Sequence, residues 1–120
     1  YLMVQPVYAV GVGGATGAVC RYAIGRRFTH EWIPLWTLVV NIIGSFLLGL
    51  SVFSNIGGEL SLFFAVGFCG SLTTYSSFSV DTIQLWTAEP RRAAAYVSIM
   101  SVCCFLATAL AAGIVRFIPL

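Results

Sequence analysis

Seven hydroxyl-bearing residues stand within nine consecutive positions of this chain: Ser71, Thr73, Thr74, Tyr75, Ser76, Ser77 and Ser79, in the stretch GFCGSLTTYSSFSVD (residues 67–81). A hydroxyl is both donor and acceptor, so such a cluster suits an ion that must shed its water. Gly67 and Gly70 come just before it, and glycine followed by β-branched and hydroxyl residues weakens a helix. The combination points to a helix break over Gly70–Thr73. Freed carbonyls at a break coordinate a small cation, while hydroxyls donate to an anion. The alternative is an unbroken Ser/Thr-rich helix whose hydroxyls bond back to their own carbonyls.

Other polar residues sit within apolar runs. Asn41, in PLWTLVVNIIGSFLLG, either bonds a neighbouring helix or lines a polar path, with Thr37 one turn earlier on the same face. Asp81 is an intramembrane or vestibular carboxylate, a proton or cation site or a group near a mouth. At three-residue spacing, Tyr75, Phe78 and Asp81 share one broad helical face. Arg21 closes the first apolar run; it either snorkels at a helix end or attracts anions at a water-filled mouth. Tyr96, Ser98, Ser101 and Thr108 add hydroxyls near the C-terminus, each also explicable as a bond between packed helices.

Chemistry of other kinds is missing. There is no Ser/His/Asp set and no metal-ligand set, and His30 reads as a surface residue. GVGGATG (residues 11–17) has neither the preceding strand nor the lysine of a phosphate loop. Cys20, Cys69, Cys103 and Cys104 form no C-x-x-C pair and read as buried, reduced thiols. Neither an enzyme nor an organic cofactor is expected.

The elements that must position these residues follow from the charge pattern. The chain of 120 residues is 59% hydrophobic and 8% charged, too little charge for a soluble surface. A formal charge of +2 is too small and scattered for nucleic acid. Residues 1–20, 32–58, 60–80 and 93–115 contain no Asp, Glu, Lys or Arg. A span needs about 20 predominantly apolar residues, so four transmembrane helices fit: Pro6–Ile24, Pro34–Ser54, Leu60–Trp86 and Arg92–Phe117. The reading is one four-helix transmembrane domain over residues 1–120. No signal peptide is expected, because the first segment lacks a basic n-region. Pro34 and Pro90 suit helix entries, and Trp32, Trp36 and Trp86 suit an interfacial belt. The positive-inside rule places the loops bearing Arg26, Arg27, Arg91 and Arg92 in the cytoplasm. Small residues four apart (Gly13/Gly17, Ser45/Gly49, Gly67/Ser71, Ala107/Ala111) allow close helix packing, either within one subunit or between two.

Read in order, GGATGAVCRY, TLVVNIIGSFLLG, GFCGSLTTYSSFS and the hydroxyl-bearing last helix resemble the fluoride channel family known as Fluc or CrcB, over nearly the whole chain. The resemblance implies an all-α, antiparallel, dual-topology homodimer of four-helix subunits with a broken third helix. It implies passive fluoride export across the plasma membrane (the inner membrane of a bacterium), which prevents fluoride toxicity. It also implies a structural sodium ion at the dimer interface, held by the backbone carbonyls of Gly70 and Thr73. Carried onto this chain, Asn41, Tyr75, Phe78, Ser77, Tyr96 and Thr108 line the fluoride path, and Arg21 and Asp81 stand at its vestibule. Four positions depart from the family pattern: Tyr75 replaces a Phe, Ser71 and Trp36 each replace a Gly, and Asp81 replaces a Glu.

Two other classes compete. A small multidrug-resistance-type, proton-coupled transporter is also four-helical and dimeric, but it needs a carboxylate in its first helix, and residues 1–20 contain none. A non-transporting helical membrane subunit would not need the break, Asn41 and the hydroxyl track together.

Overall fold

The computed structural model describes residues 4–118. Helix α1 is Val4–Arg27 and α2 is Leu35–Phe53. A third helical stretch is composite: α3 is Gly58–Ser61, a π-helical segment covers Leu62–Cys69, α4 is Gly70–Leu72, and α5 is Tyr75–Ala88. The last helix, α6, is Pro90–Phe117. Among the described residues, four stretches are long and apolar enough to cross a membrane: Pro6–Arg27, Leu35–Phe53, Gly58–Ala88 and Pro90–Phe117. The first, third and last extend past the expected limits; in the first and last the helical backbone continues to arginines that would reach water.

Local chemistry sets the ends. Pro34 caps α2, and Pro90 is the first residue of α6, where no intrahelical N–H bond is lost. After α2 the chain turns through Asn55 at φ 55° and Gly58 at φ 64°, a left-handed conformation that these two residue types adopt most readily.

The helices pack in two close pairs, α1 on the π-helical segment and α2 on α6, with α5 also against α6. The spaced small residues explain the first two contacts. A side-chain carbon on Gly13 would strike the Phe63 carbonyl, and one on Gly17 the Phe68 carbonyl. Across that contact, a side-chain carbon on Gly67 would lie 2.7 Å from the Val10 carbonyl oxygen. In the other pair, one on Gly49 would lie 2.9 Å from the Ala111 side chain and 3.4 Å from Thr108. Small residues let backbones approach closely where lipid supplies no hydrophobic drive between helices. Here that approach occurs within one chain.

The buried centre is Leu38, Tyr96 and Met100, flanked by Ile42, Phe78, Leu85 and Cys104. Large apolar side chains also face outward, among them Val7, Val12 and Val19 on α1 and Phe105, Leu106 and Leu110 on α6. Water would penalise this surface and lipid would not.

Candidate functional site

The site begins where the third helical stretch leaves helical dihedrals, at Thr73 and Thr74. Helical backbone persists through Leu72. Thr73 then takes φ −78° and ψ 155°, and Thr74 takes φ −147° and ψ 117°. Both are extended, three and four residues after Gly70, at the end of the expected Gly70–Thr73 interval and one residue past it; Gly70 itself is helical at φ −62° and ψ −33°.

Each end of this turn is held by side chains. The Thr73 hydroxyl donates to the Cys69 carbonyl at 2.8 Å. The Thr74 N–H donates to Asn41 Oδ1 at 2.8 Å, and Asn41 Nδ2 donates to the Thr74 carbonyl at 3.1 Å. Thr74 Oγ1 accepts from the Ser77 N–H at 3.1 Å and caps α5, as threonine commonly does. Room for Thr73 comes from Gly44 on α2, where a side-chain carbon would collide with the Thr73 methyl.

These bonds redirect two backbone donors. In a continuous helix the Thr74 N–H would bond the Gly70 carbonyl, and the Ser77 N–H the Thr73 carbonyl. The first goes to Asn41 and the second to the Thr74 side chain. Those two carbonyls therefore lose their regular helical partners. Gly70 is exposed, with no atom of another element within 4 Å of where a side chain would begin.

Beside this turn lies an open groove of about 350 Å³. Asn41, Gly44, Ser45 and Leu48 line it from α2, Thr73, Thr74, Tyr75 and Phe78 from the turn and α5, and Met100, Ser101 and Cys104 from α6. Asn41 Nδ2 also reaches Met100 Sδ at 3.6 Å. The Tyr75 and Phe78 rings lie 6.1 Å apart at 52°. Phe78 in turn meets Tyr96 at 5.4 Å and 45°. Tyr75 is 81% exposed, on the open side of the groove.

The remaining candidates lie outside the groove. Asp81 accepts a bond from the Thr37 hydroxyl at 2.9 Å, between residues 44 apart in sequence. Thr37 and Asp81 flank the Tyr96 hydroxyl. That hydroxyl is fully buried and has no hydrogen-bond partner among the described residues. The Thr108 hydroxyl donates to the Cys104 carbonyl at 3.1 Å and the Ser45 carbonyl at 3.3 Å, joining α6 to α2. Ser77 is half-buried and contributes its N–H to the cap. Arg21 lines a separate cleft of about 370 Å³ with Tyr22, Arg26 and Trp36.

The groove also contains Gly44, Leu48 and Met100, which have no role in the sequence reading, and Cys104, expected there only as a buried, reduced thiol. Nothing in their residue types marks them, because apolar and sulfur side chains are ordinary in a spanning helix. All four cysteines are free; Cys69 is buried and the other three are half-buried. Among the described residues, no three His, Cys, Asp or Glu side chains converge on a metal position.

Chemically, the groove offers amide and hydroxyl groups at a membrane-embedded turn, next to aromatic ring edges. Comparison with known proteins gives this arrangement a context. The family described as CrcB-like protein, Camphor Resistance (CrcB), matches residues 8–114. A protein named fluoride-specific ion channel FluC 2, from Haloarcula marismortui, is 44% identical over 115 residues, covering 95% of this chain and 97% of its own. A fluoride-specific ion channel FluC from Thermosipho melanesiensis is 41% identical over 96 residues, covering 72% of this chain and 77% of its own. One from Escherichia coli is 41% identical over 90 residues, covering 69% and 71%.

Proposed function

The chain belongs to the CrcB-like family, and from that premise we propose that it is a fluoride channel whose groove beside the α4–α5 turn forms one wall of the anion path. It is a multi-pass plasma-membrane protein and not an enzyme. The observation that carries the assignment to this groove is the meeting of Asn41, Thr73, Thr74, Tyr75 and Phe78 in one cleft.

Fluoride is small and strongly hydrated. A dry path must replace its water with donors, and size and donor placement must exclude larger anions. The Asn41 amide, engaged with Thr74 on two sides, presents its second N–H toward Met100 in the groove wall. Aromatic ring edges carry partial positive charge, so Tyr75 and Phe78 face an anion favourably when edge-on. Ser77, Tyr96 and Thr108 extend the hydroxyl track; the unpartnered, buried Tyr96 hydroxyl supports this for Tyr96. Arg21 and Asp81 belong to the approaches. Conduction involves no bond breaking and no energy coupling.

The working unit in this reading is an antiparallel, dual-topology homodimer. The groove is open along the side where Tyr75 stands exposed, and a second copy would cover it. A structural sodium ion between the copies fits the turn, because the Gly70 and Thr73 carbonyls have lost their helical donors and Gly70 faces open space. Hard cations take oxygen ligands, and two carbonyls from each copy would supply four. When bound, the ion supplies fixed positive charge that ties the two copies together.

Purified protein in liposomes tests the reading. Rapid fluoride efflux, independent of a proton gradient and with little chloride efflux, is the expected result. Equal efflux of both anions, or none of either, would overturn it.

A further inference from the structure

We infer that Met100 and Cys104 form a binding site for a soft monovalent metal cation, Cu(I) or Ag(I), in the wall of the groove. The two residues are one helical turn apart on α6, and both line the groove. Their sulfurs lie 3.8 Å apart, with the Cys104 thiol donating to the Met100 thioether. In that contact the Cys104 S–H bond points at a Met100 lone pair; once the proton leaves, each sulfur has a lone pair free for one metal ion set to the side of the S···S line.

Ligand type selects the metal. Thiolate and thioether are soft donors that favour Cu(I) over hard cations. Zinc takes four nitrogen or sulfur ligands in structural sites, and no three His, Cys, Asp or Glu side chains converge among the described residues. With metal–sulfur bonds near the zinc–thiolate length of about 2.3 Å, the observed separation corresponds to an S–metal–S angle of roughly 110°. A bent pair of this kind leaves the ion open toward the groove. The Asn41 amide approaches the Met100 sulfur at 3.6 Å; thioether sulfur has a second lone pair, so this contact need not be lost.

The reaction balances simply. Cys104 releases its thiol proton to solvent as its sulfur bonds the metal, Met100 donates a lone pair, and no electron changes hands. A thiolate with a monovalent cation is neutral overall. That matters in a membrane interior, where an uncompensated charge is costly, and a divalent ion would leave one. An ion held here would lie in the wall of the groove that Asn41 and Phe78 also line and would obstruct it. This obstruction rests on the fluoride-path reading; the metal site does not.

The test titrates purified, detergent-solubilised protein with Ag(I) in chloride-free nitrate buffer, following ultraviolet thiolate-to-metal absorbance, with efflux from fluoride-loaded liposomes measured in parallel. The variants are Cys104→Ser and Met100→Leu, with Cys103→Ser and Cys20→Ser as controls, each checked for wild-type elution on gel filtration. The tightest site is expected to weaken by more than about tenfold in Cys104→Ser and Met100→Leu and to persist in both controls. Ag(I) should slow wild-type fluoride efflux and leave Cys104→Ser efflux unaffected. Unchanged tight binding in either site variant would overturn the site. Lost binding in those variants, with wild-type efflux indifferent to bound Ag(I), would uphold the site and overturn this groove as the fluoride path.

Discussion

Asn41 and Thr74 grip each other through two hydrogen bonds, one in each direction, across 33 residues of sequence. One side-chain amide thus satisfies both the N–H and the C=O of an extended residue at membrane depth, where unsatisfied backbone groups are costly. Asn41→Asp should break this grip, because a carboxylate oxygen then faces the Thr74 carbonyl. Loss of a buried partner costs about 1–3 kcal/mol. A lower thermal unfolding midpoint in detergent is expected, with fluoride efflux reduced at least roughly tenfold, the rate equivalent of about 1.4 kcal/mol. A variant with wild-type midpoint and flux would show that the grip is dispensable.

Thr74 also caps α5 through Oγ1. Thr74→Ala should cost about 1 kcal/mol, whereas Thr74→Ser, which keeps the acceptor, should recover most of the loss. Thermal unfolding of both variants measures the difference. Equal destabilisation by Ala and Ser would assign the effect to the methyl group rather than to the cap.

The glycines of α1 should divide sharply by position. Gly17→Val places a side chain against the Phe68 carbonyl, whereas Gly11 has open space around it. Overpacking costs about 1–3 kcal/mol and more where backbone blocks relaxation. Gly11→Ala should stabilise by up to about 1 kcal/mol through helix propensity. Expression yield and unfolding midpoint are the readouts; similar values for both would contradict the packing of α1 on the π-helical segment.

Phe78 touches both Tyr75 and Tyr96, so its ring edge cannot be replaced by a neighbour. Phe78→Ile should lower fluoride efflux by roughly tenfold or more without changing the elution of the purified protein on gel filtration. Tyr75→Phe keeps the exposed ring and removes only the hydroxyl. Its efflux should stay within about twofold of wild type, the scale of a surface substitution. A large gain would instead identify the Tyr75 hydroxyl as an obstruction.

Thr37 and Asp81 provide a polar pair outside the groove. Thr37→Val preserves shape but removes the donor to Asp81, and about 1–3 kcal/mol of stability should go with it. Thr37→Ser should retain the bond. Unfolding midpoints that do not separate Val from Ser would mean that water or another group already serves Asp81.

Much of the helical organisation is legible in one dimension because membrane solvation acts on residue type alone. Four charge-free intervals gave four spans, and the prolines and tryptophans marked their ends. Small-residue spacing showed which faces pack closely but not against what. Gly13 and Gly17 have the same spacing whether they meet Phe63 and Phe68 of their own chain or a neighbour. The π-helical segment Leu62–Cys69 had no sequence signal, since LFFAVGFC reads as ordinary apolar helix.

The candidate site divides along the same line. The sequence by itself determined that Asn41 and the hydroxyls of residues 71–79 lie in segments where lipid excludes water, and that such groups need partners. It left Asn41 open between a bond to a neighbour and a place on a polar path. The tertiary structure decided the first, giving it Thr74 as its partner, and set it in the wall of the groove. Tertiary packing alone also set Thr37 against Asp81 and left the Tyr96 hydroxyl without a partner. The physical reason is range. Hydrophobic matching to the bilayer is additive along the chain and can be read residue by residue. A hydrogen bond acts over about 3 Å, so its partner is fixed only once distant segments have been packed together.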